Sequence, residues 1–336
     1  MNRKKMWRGL LGSGLLAAFV LYGGPGFALE DLRVPVASPS SLSSLAEQVA
    51  ISQGMFKDIG YNARIYSVSG GESAAVLALE KGKLLFFSTD DNIPLAIRPK
   101  SKIKIVAVTI NKLSYYLVAA GKVKSYKDLP QKGIKVGISS PTSANVYVSL
   151  KLLEKNGILN PRLIKVGGST GRLAAVKANK VDVGSLTFGP MLRAKAAGLT
   201  ILGSAAELAD EFAFIQVGMN GDWVKKNTEK AIAIVGTFIR ACDYINRNRE
   251  GTIQVLTKVM KNKPEIATKM YDIKIAKEKV ISSRCSFSEK GILAYIEAAK
   301  FSKAIDPDLK VPPISTFTLP DLHKKGIAWV KKKGWR

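Results

Sequence analysis

Residues 134–157 read IKVGISSPTSANVYVSLKLLEKNG. Ile134–Ile138 has the apolar, β-branched character of a buried strand, and Ala144–Lys155 carries the spacing of a helix. Between them Ser139–Ser143 forms a hydroxyl-rich turn around Pro141. The same order appears earlier, in LRVPVASPSSLSSLAEQVAISQG, residues 32–54. There Leu32–Ala37 reads as a strand, and a Ser-Pro-Ser-Ser turn starts at Ser38. A helix is predicted over Leu42–Gln53, with Leu42, Leu45, Ala46 and Val49 on one stripe and Gly54 as its stop.

Each of these units opens a longer series of similar layout. The first continues through a strand at Asn62–Val68, a Ser-Gly-Gly loop, a helix at Glu72–Leu79 and a short strand at Leu84–Phe87. A polar stretch, Ser88–Asn92, then leads to a helix ending near Arg98, and a strand follows at Ile103–Ile110. The second series has strands at Leu163–Val166 and Val181–Leu186, a Gly-Gly-Ser-Thr-Gly loop from Gly167, helices at Arg172–Ala178 and up to Ala197, and a last strand at Thr200–Leu202. Strands alternating with helices predict an α/β fold with mainly parallel sheets. Extended apolar segments at Tyr115–Ala120 and Phe212–Met219 read as crossings between two lobes. The expected division is 29–114 and 219–336 for a discontinuous first lobe and 115–218 for the second, with mostly helical chain after 219. In such sheets ligands sit where loops leave the carboxyl ends of strands, so the two loop sets should face one cleft.

Composition restricts the function class. The 336 residues are 46% hydrophobic and 23% charged, a globular balance with material for two cores. The net charge is +26, and the lysines are scattered with no nucleic-acid motif. Most of that charge reads as a solvated surface, and nucleic acid is not an expected partner. The N-terminus, MNRKKMWRGLLGSGLLAAFVLYGGPGFALE, has a basic start, an apolar run from Leu10 to Tyr22 and small residues at Gly26 and Ala28. This is the pattern of a signal peptide, residues 1–28, cleaved near Ala28; the apolar run is short and glycine-broken for an uncleaved anchor. Export permits a disulfide between Cys242 and Cys285, but their positions leave bonded and separate thiols equally open. No metal-ligand spacing, P-loop or dinucleotide fingerprint is present in the sequence.

Four stretches resemble the NMT1/THI5-like and alkanesulfonate-binding-like periplasmic solute-binding proteins. They are AISQGMFKDIG (50–60), SGGESAAVLALEKG (69–82), YKDLPQKGIKVGISSPTS (126–143) with LLEKNGILNP (152–161), and RLAAVKANKVDVG (172–184). Each motif is small residues and glycines, and the order and spacing carry the likeness. The chain departs from the family where a Gly-x-x-Asp pair is usual: here Gly82-Lys83-Leu84-Leu85 stands, with Asp182 at the second-lobe equivalent. The resemblance implies a type II periplasmic-binding-protein fold, a small-molecule ligand and an ABC transporter permease in the inner membrane as partner. It also implies a periplasmic, monomeric, non-catalytic protein without cofactor or metal. Family ligands include sulfonates, nitrate-like anions, pyrimidine precursors and aromatic carboxylates, so the expected ligand is anionic or heteroaromatic.

Candidate ligand contacts are the groups at the loop positions. Ser38, Ser40 and Ser41 follow the first strand, where the bland reading is helix capping. Gly70 and Gly71 allow close backbone approach, against an ordinary tight turn. Ser88, Thr89 and Asp90 head the most polar strand end; with Asp91 the acids exceed what one cap needs, and a carboxylate there suits an amine or amidine. Ser139, Thr142 and Ser143 line a helix start fit for a sulfonate, phosphate or carboxylate, against capping around Pro141. Ser169 and Thr187 occupy the other second-lobe loops, and Tyr116 is a candidate for an aromatic wall otherwise explained by packing. His323, the single histidine, reads as a surface residue near a helix end.

Three functions compete. A binding protein for import closes its lobes on a solute by a hinge. A sensor uses the same closure to signal. A pyrimidine-precursor synthase-like enzyme would need histidine and cysteine-rich iron chemistry that one histidine and two distant cysteines do not supply.

Overall fold

The computed structural model describes residues 28–36, 38–67 and 71–335. The signal-peptide reading therefore lies outside the described residues, apart from Ala28, as does Gly70. In chain order the elements of the first half are β1 (Glu30–Val36), α1 (Leu45–Ser52), β2 (Tyr61–Ser67), α2 (Gly71–Glu80), β3 (Phe87–Thr89), α3 (Asn92–Ala96) and β4 (Ile103–Ile110). The middle holds β5 (Tyr115–Ala119), β6 (Lys135–Ile138), α4 (Ala144–Glu154), β7 (Arg162–Lys165), α5 (Ser169–Lys177), β8 (Val183–Thr187), α6 (Phe188–Ala196) and β9 (Thr200–Ser204). Then come β10 (Ile215–Asn220), α7 (Gly221–Lys226), α8 (Thr228–Arg247), α9 (Arg249–Gln254), α10 (Pro264–Lys269), α11 (Glu289–Phe301) and α12 (Pro320–Lys332).

The strands form no single continuous sheet. β1 and β2 pair in parallel, β3-β10-β4 form an antiparallel sheet, and a five-stranded sheet runs β7-β6-β8-β5-β9. Within the last, β6 is parallel to β7 and β8, while β5 is antiparallel to β8 and β9. The expectation of mainly parallel sheets is thus corrected by β5 and β10. These strands lie next to the crossings and enter their sheets against the direction of the βαβ units. Residues 215–218, read from sequence as second-lobe chain, hydrogen-bond to β3 and β4 within β10. The predicted helix over 42–53 is a 3-10 turn at Leu42–Ser44 followed by α1. The Ser44 hydroxyl, whose one hydrogen has the carbonyls of Ser38, Pro39 and Ser41 within reach, holds the tighter turn.

One apolar core stands under the first two sheets, with Phe86 between Phe56 (5.8 Å, stacked) and Phe238 (5.1 Å, edge-on). α8 runs through it, and α12 crosses α8 so closely that a Cβ on Gly326 would lie 2.9 Å from Val235. Cys242 of α8 is bonded to Cys285, with Cα atoms 5.8 Å apart, which resolves the question the spacing left open. His323 is buried, contrary to expectation: its Nε2 lies 2.9 Å from the Arg284 carbonyl oxygen and its ring packs on Phe287. Among the described residues no helix is long and apolar enough to cross a membrane.

Candidate functional site

The loops after β3 and β6 meet face to face. Asp90 follows β3, and its Oδ2 receives the Ser143 hydroxyl at 2.7 Å, the Ala144 amide at 2.9 Å and the Tyr115 hydroxyl at 3.4 Å. Ala144 is the first residue of α4, so this carboxyl sits on the positive end of that helix. Asp91 receives the hydroxyls of Ser140 at 2.8 Å and Thr142 at 3.0 Å. Beside this pair the Ser41 hydroxyl donates to Thr187 Oγ1 at 3.3 Å, joining the turn after β1 to the end of β8. Ser169 accepts from the Thr187 amide at 2.8 Å.

The acidic turn is braced from below. Asn92, fully buried, donates from Nδ2 to the carbonyls of Phe87 and Gln216, both at 2.8 Å, and the Gln216 Oε1 accepts from the Ile93 amide at 3.2 Å. Gly218 leaves room for this brace, because a Cβ there would stand 2.8 Å from the Asn92 amide group. The Tyr295 hydroxyl, from α11, donates to the Asp90 carbonyl and lies 3.3 Å from that of Thr142.

Between these loops lies a cavity of about 30 Å³ lined by Ser38, Ser41, Ser88, Thr89, Asp90, Tyr115, Ser139, Ser169, Arg172 and Thr187, with Val36 and Ile215 as apolar wall. A wider groove of about 530 Å³ opens on the outer side of Asp91, between α2, the Arg98–Ser101 turn and Pro141–Thr142. Of the predicted contacts, Ser38, Ser41, Ser88, Thr89, Asp90, Ser139, Ser169 and Thr187 therefore line one cavity. Ser143 supports it as the cap of α4, and Thr142 faces the outer groove.

Three predicted residues stand elsewhere. Gly71 begins α2. The Ser40 carbonyl accepts from Asn262 at 3.3 Å, which turns this residue toward the chain after α9. Tyr116 is a correction: neighbours on a strand point to opposite faces, so Tyr115 takes the cavity side and Tyr116 the other. Its hydroxyl receives the buried Lys274 ammonium at 3.2 Å, and its ring packs on Phe188.

Two charged residues that sequence reasoning passed over matter here. Arg172 of α5 is 1% exposed and donates from Nε to the Ser185 carbonyl at 2.7 Å and from Nη1 to that of Gly167 at 3.0 Å. Its guanidinium lies over the Tyr115 ring, 5.5 Å from the centroid. Glu47 of α1, also 1% exposed, has the Ser88 hydroxyl facing its carboxyl, yet neither group makes a hydrogen bond of good geometry. The only sequence signal for either is a charge inside an otherwise apolar helical stretch, LAEQVAIS or RLAAV.

Burial governs the protonation of these acids. It raises Asp90, against the stabilising hydrogen bonds of Ser143 and Ala144 and the charge of Arg172. It raises Asp91 too, helped by the adjacent Asp90 carboxylate and opposed by Ser140 and Thr142. Burial pushes Glu47 up from 4.5 to about 7. The unfolded chain thus releases the Glu47 proton above its ordinary value while the folded chain keeps it, so stability falls as pH climbs toward 7 and is level beyond. Glu47→Gln is therefore expected to be neutral near pH 4 and to stabilise by about 3 kcal/mol near pH 8. Urea denaturation at the two pH values measures this; an equal effect at both would refute the buried-acid account. Among the described residues no cluster of His, Cys, Asp and Glu is arranged to hold a metal ion.

Two lobes whose strand-end loops share a cleft define the periplasmic-binding-protein fold, and the chain has that fold. It is similar to the periplasmic nitrate-binding protein NrtA from Synechocystis PCC 6803, at 13% identity and TM-score 0.74, covering 91% of this chain and 90% of that one. It is similar to the alkanesulfonate-binding protein SsuA from Xanthomonas axonopodis pv. citri bound to MOPS, at 14% identity and TM-score 0.61, covering 87% and 99%. The desulfurization enzyme DSZB also has this fold, at 11% identity and TM-score 0.61, covering 89% and 99%. No family model and no curated protein matches by sequence.

Proposed function

We propose that the chain is an extracytoplasmic solute-binding protein that delivers a small molecule to an ABC-type import permease. The observation that carries this reading is the reciprocal bonding of strand-end loops across one cleft: Asp90 to Ser143 and Ala144, Asp91 to Ser140 and Thr142, Ser41 to Thr187. Groups this polar and this buried close on each other or on a ligand. A cavity near 30 Å³ requires the lobes to part before a solute enters.

The first lobe comprises 29–114 with the chain from Ile215 onward, and the second runs from Tyr115 to the segment before Ile215. The hinge lies in the two crossings. The likeness to nitrate- and alkanesulfonate-binding proteins supports the binding role, and the basic, apolar N-terminal run supports export. The reading assigns no catalytic residue: Asp90 and Arg172 are engaged in bonds that hold the cleft, and His323 is buried against Phe287 and the Arg284 carbonyl.

Native mass spectrometry of the purified protein tests the assignment by detecting a retained small molecule. Small-angle scattering should show the radius of gyration contracting when that molecule is returned to stripped protein. Unchanged scattering with saturating ligand would defeat the hinge.

A further inference from the structure

The geometry points to a ligand that presents a protonated amine, amidinium or guanidinium group to the cleft, rather than an anionic head. This inference rests on the solute-binding reading above. Three observations carry it.

First, the position best suited to an anion is taken by the protein itself. The start of α4 offers its Ala144 amide and the Ser143 hydroxyl, and both are directed at the Asp90 carboxylate. The neighbouring hydroxyls of Ser140 and Thr142 are likewise directed at Asp91. An anionic ligand would have to displace a tethered carboxylate and then lie beside it.

Second, the one cation among the described residues lining the cavity is already engaged. Arg172 directs Nε and Nη1 to two carbonyl oxygens, and the charge it carries offsets that of Asp90. Third, a buried carboxyl stands behind the cavity wall. Ser88 lines the cavity at 8% exposure, and its hydroxyl faces the Glu47 carboxyl without a hydrogen bond of good geometry, so the carboxyl is weakly satisfied. A buried carboxyl in this state gains most from an incoming N–H donor of positive charge. The overall charge of +26 works the other way at long range, so recognition here is by contact and not by steering.

The test is a thermal-shift panel on the whole mature protein with matched probes: benzamidine and butylamine against benzoate, benzenesulfonate and nitrate. Native mass spectrometry of the retained molecule runs alongside. The expected result is a cationic donor group on the retained or stabilising compound, with a rise of about 4 °C at a hundredfold excess over Kd. Glu47→Gln should weaken that compound's binding about tenfold or more while leaving the protein folded; Asp90→Asn provides the second variant. If the stabilising compounds are anions without such a group, the ligand class is overturned and solute binding stands. If nothing is retained and no probe shifts the transition, the solute-binding reading falls and takes this inference with it.

Discussion

Arg172→Leu is expected to destabilise the protein by about 3–5 kcal/mol, the range for removing one member of a buried charge pair. Arg172 is 1% exposed, and loss of its guanidinium strips donors from the carbonyls of Ser185 and Gly167. It also leaves Asp90 without a positive charge that opposes its desolvation. The Asp90 carboxyl would then move further up. A carboxyl raised by folding weakens the fold as pH climbs, because the unfolded chain ionises first. The deficit of Arg172→Leu should therefore be larger near pH 8 than near pH 5. Arg172→Lys should restore charge but not the fork that spans two carbonyls, and so recover only part. Urea titrations of both variants at the two pH values decide the matter; a deficit that does not change with pH would disconnect Arg172 from Asp90.

Loss of the Cys242–Cys285 bond should cost a comparable amount. The bond closes a loop of 43 residues, for which chain entropy corresponds to about 4 kcal/mol. Its position adds to the effect. Cys242 is fully buried in α8, and Cys285 ends a turn in which Arg284 and Cys285 have φ of 51° and 50°, a left-handed backbone that side chains rarely adopt. The Arg284 carbonyl in that turn meets His323 of α12. The disulfide thus ties α8 to the turn that precedes α11 and abuts α12. A Cys242→Ser, Cys285→Ser double variant should unfold at markedly lower urea, and wild type in reductant should coincide with it. Amide exchange should quicken first in 283–332. Because α11 supplies Tyr295, which bonds the Asp90 carbonyl, ligand affinity should fall as well. Unaltered urea midpoints in the variant and in reductant would end this account.

Much of the fold was legible because local signals agreed with the final packing. Ile103–Ile110 is a strand with the predicted bounds, and α4 ends one residue before the predicted Lys155. In both, apolar spacing and turn chemistry point the same way. β3 was displaced from the predicted 84–87 to Phe87–Thr89, since its extent is set by pairing with β10, well over a hundred residues later. The cysteine pair was undecidable for the same reason: spacing along a chain says nothing about the approach of two helical segments.

The site divides in the same way. The serines, threonines and aspartate at strand ends could be named from sequence because the fold type puts loops there. Glu47, Arg172 and the choice of Tyr115 over Tyr116 could not. Their roles depend on which face of a helix or strand is covered, and on a cleft that exists only when distant loops meet. Sequence by itself determined the alternation of strands and helices, the two-lobed layout and the hydroxyl-rich loops, because these follow from short-range periodicity and turn preference. Tertiary structure alone decided that Asp90 sits on the start of α4, that Arg172 and Glu47 are buried, and that Cys242 meets Cys285. Desolvation and charge pairing act through space, and only the folded chain defines those distances.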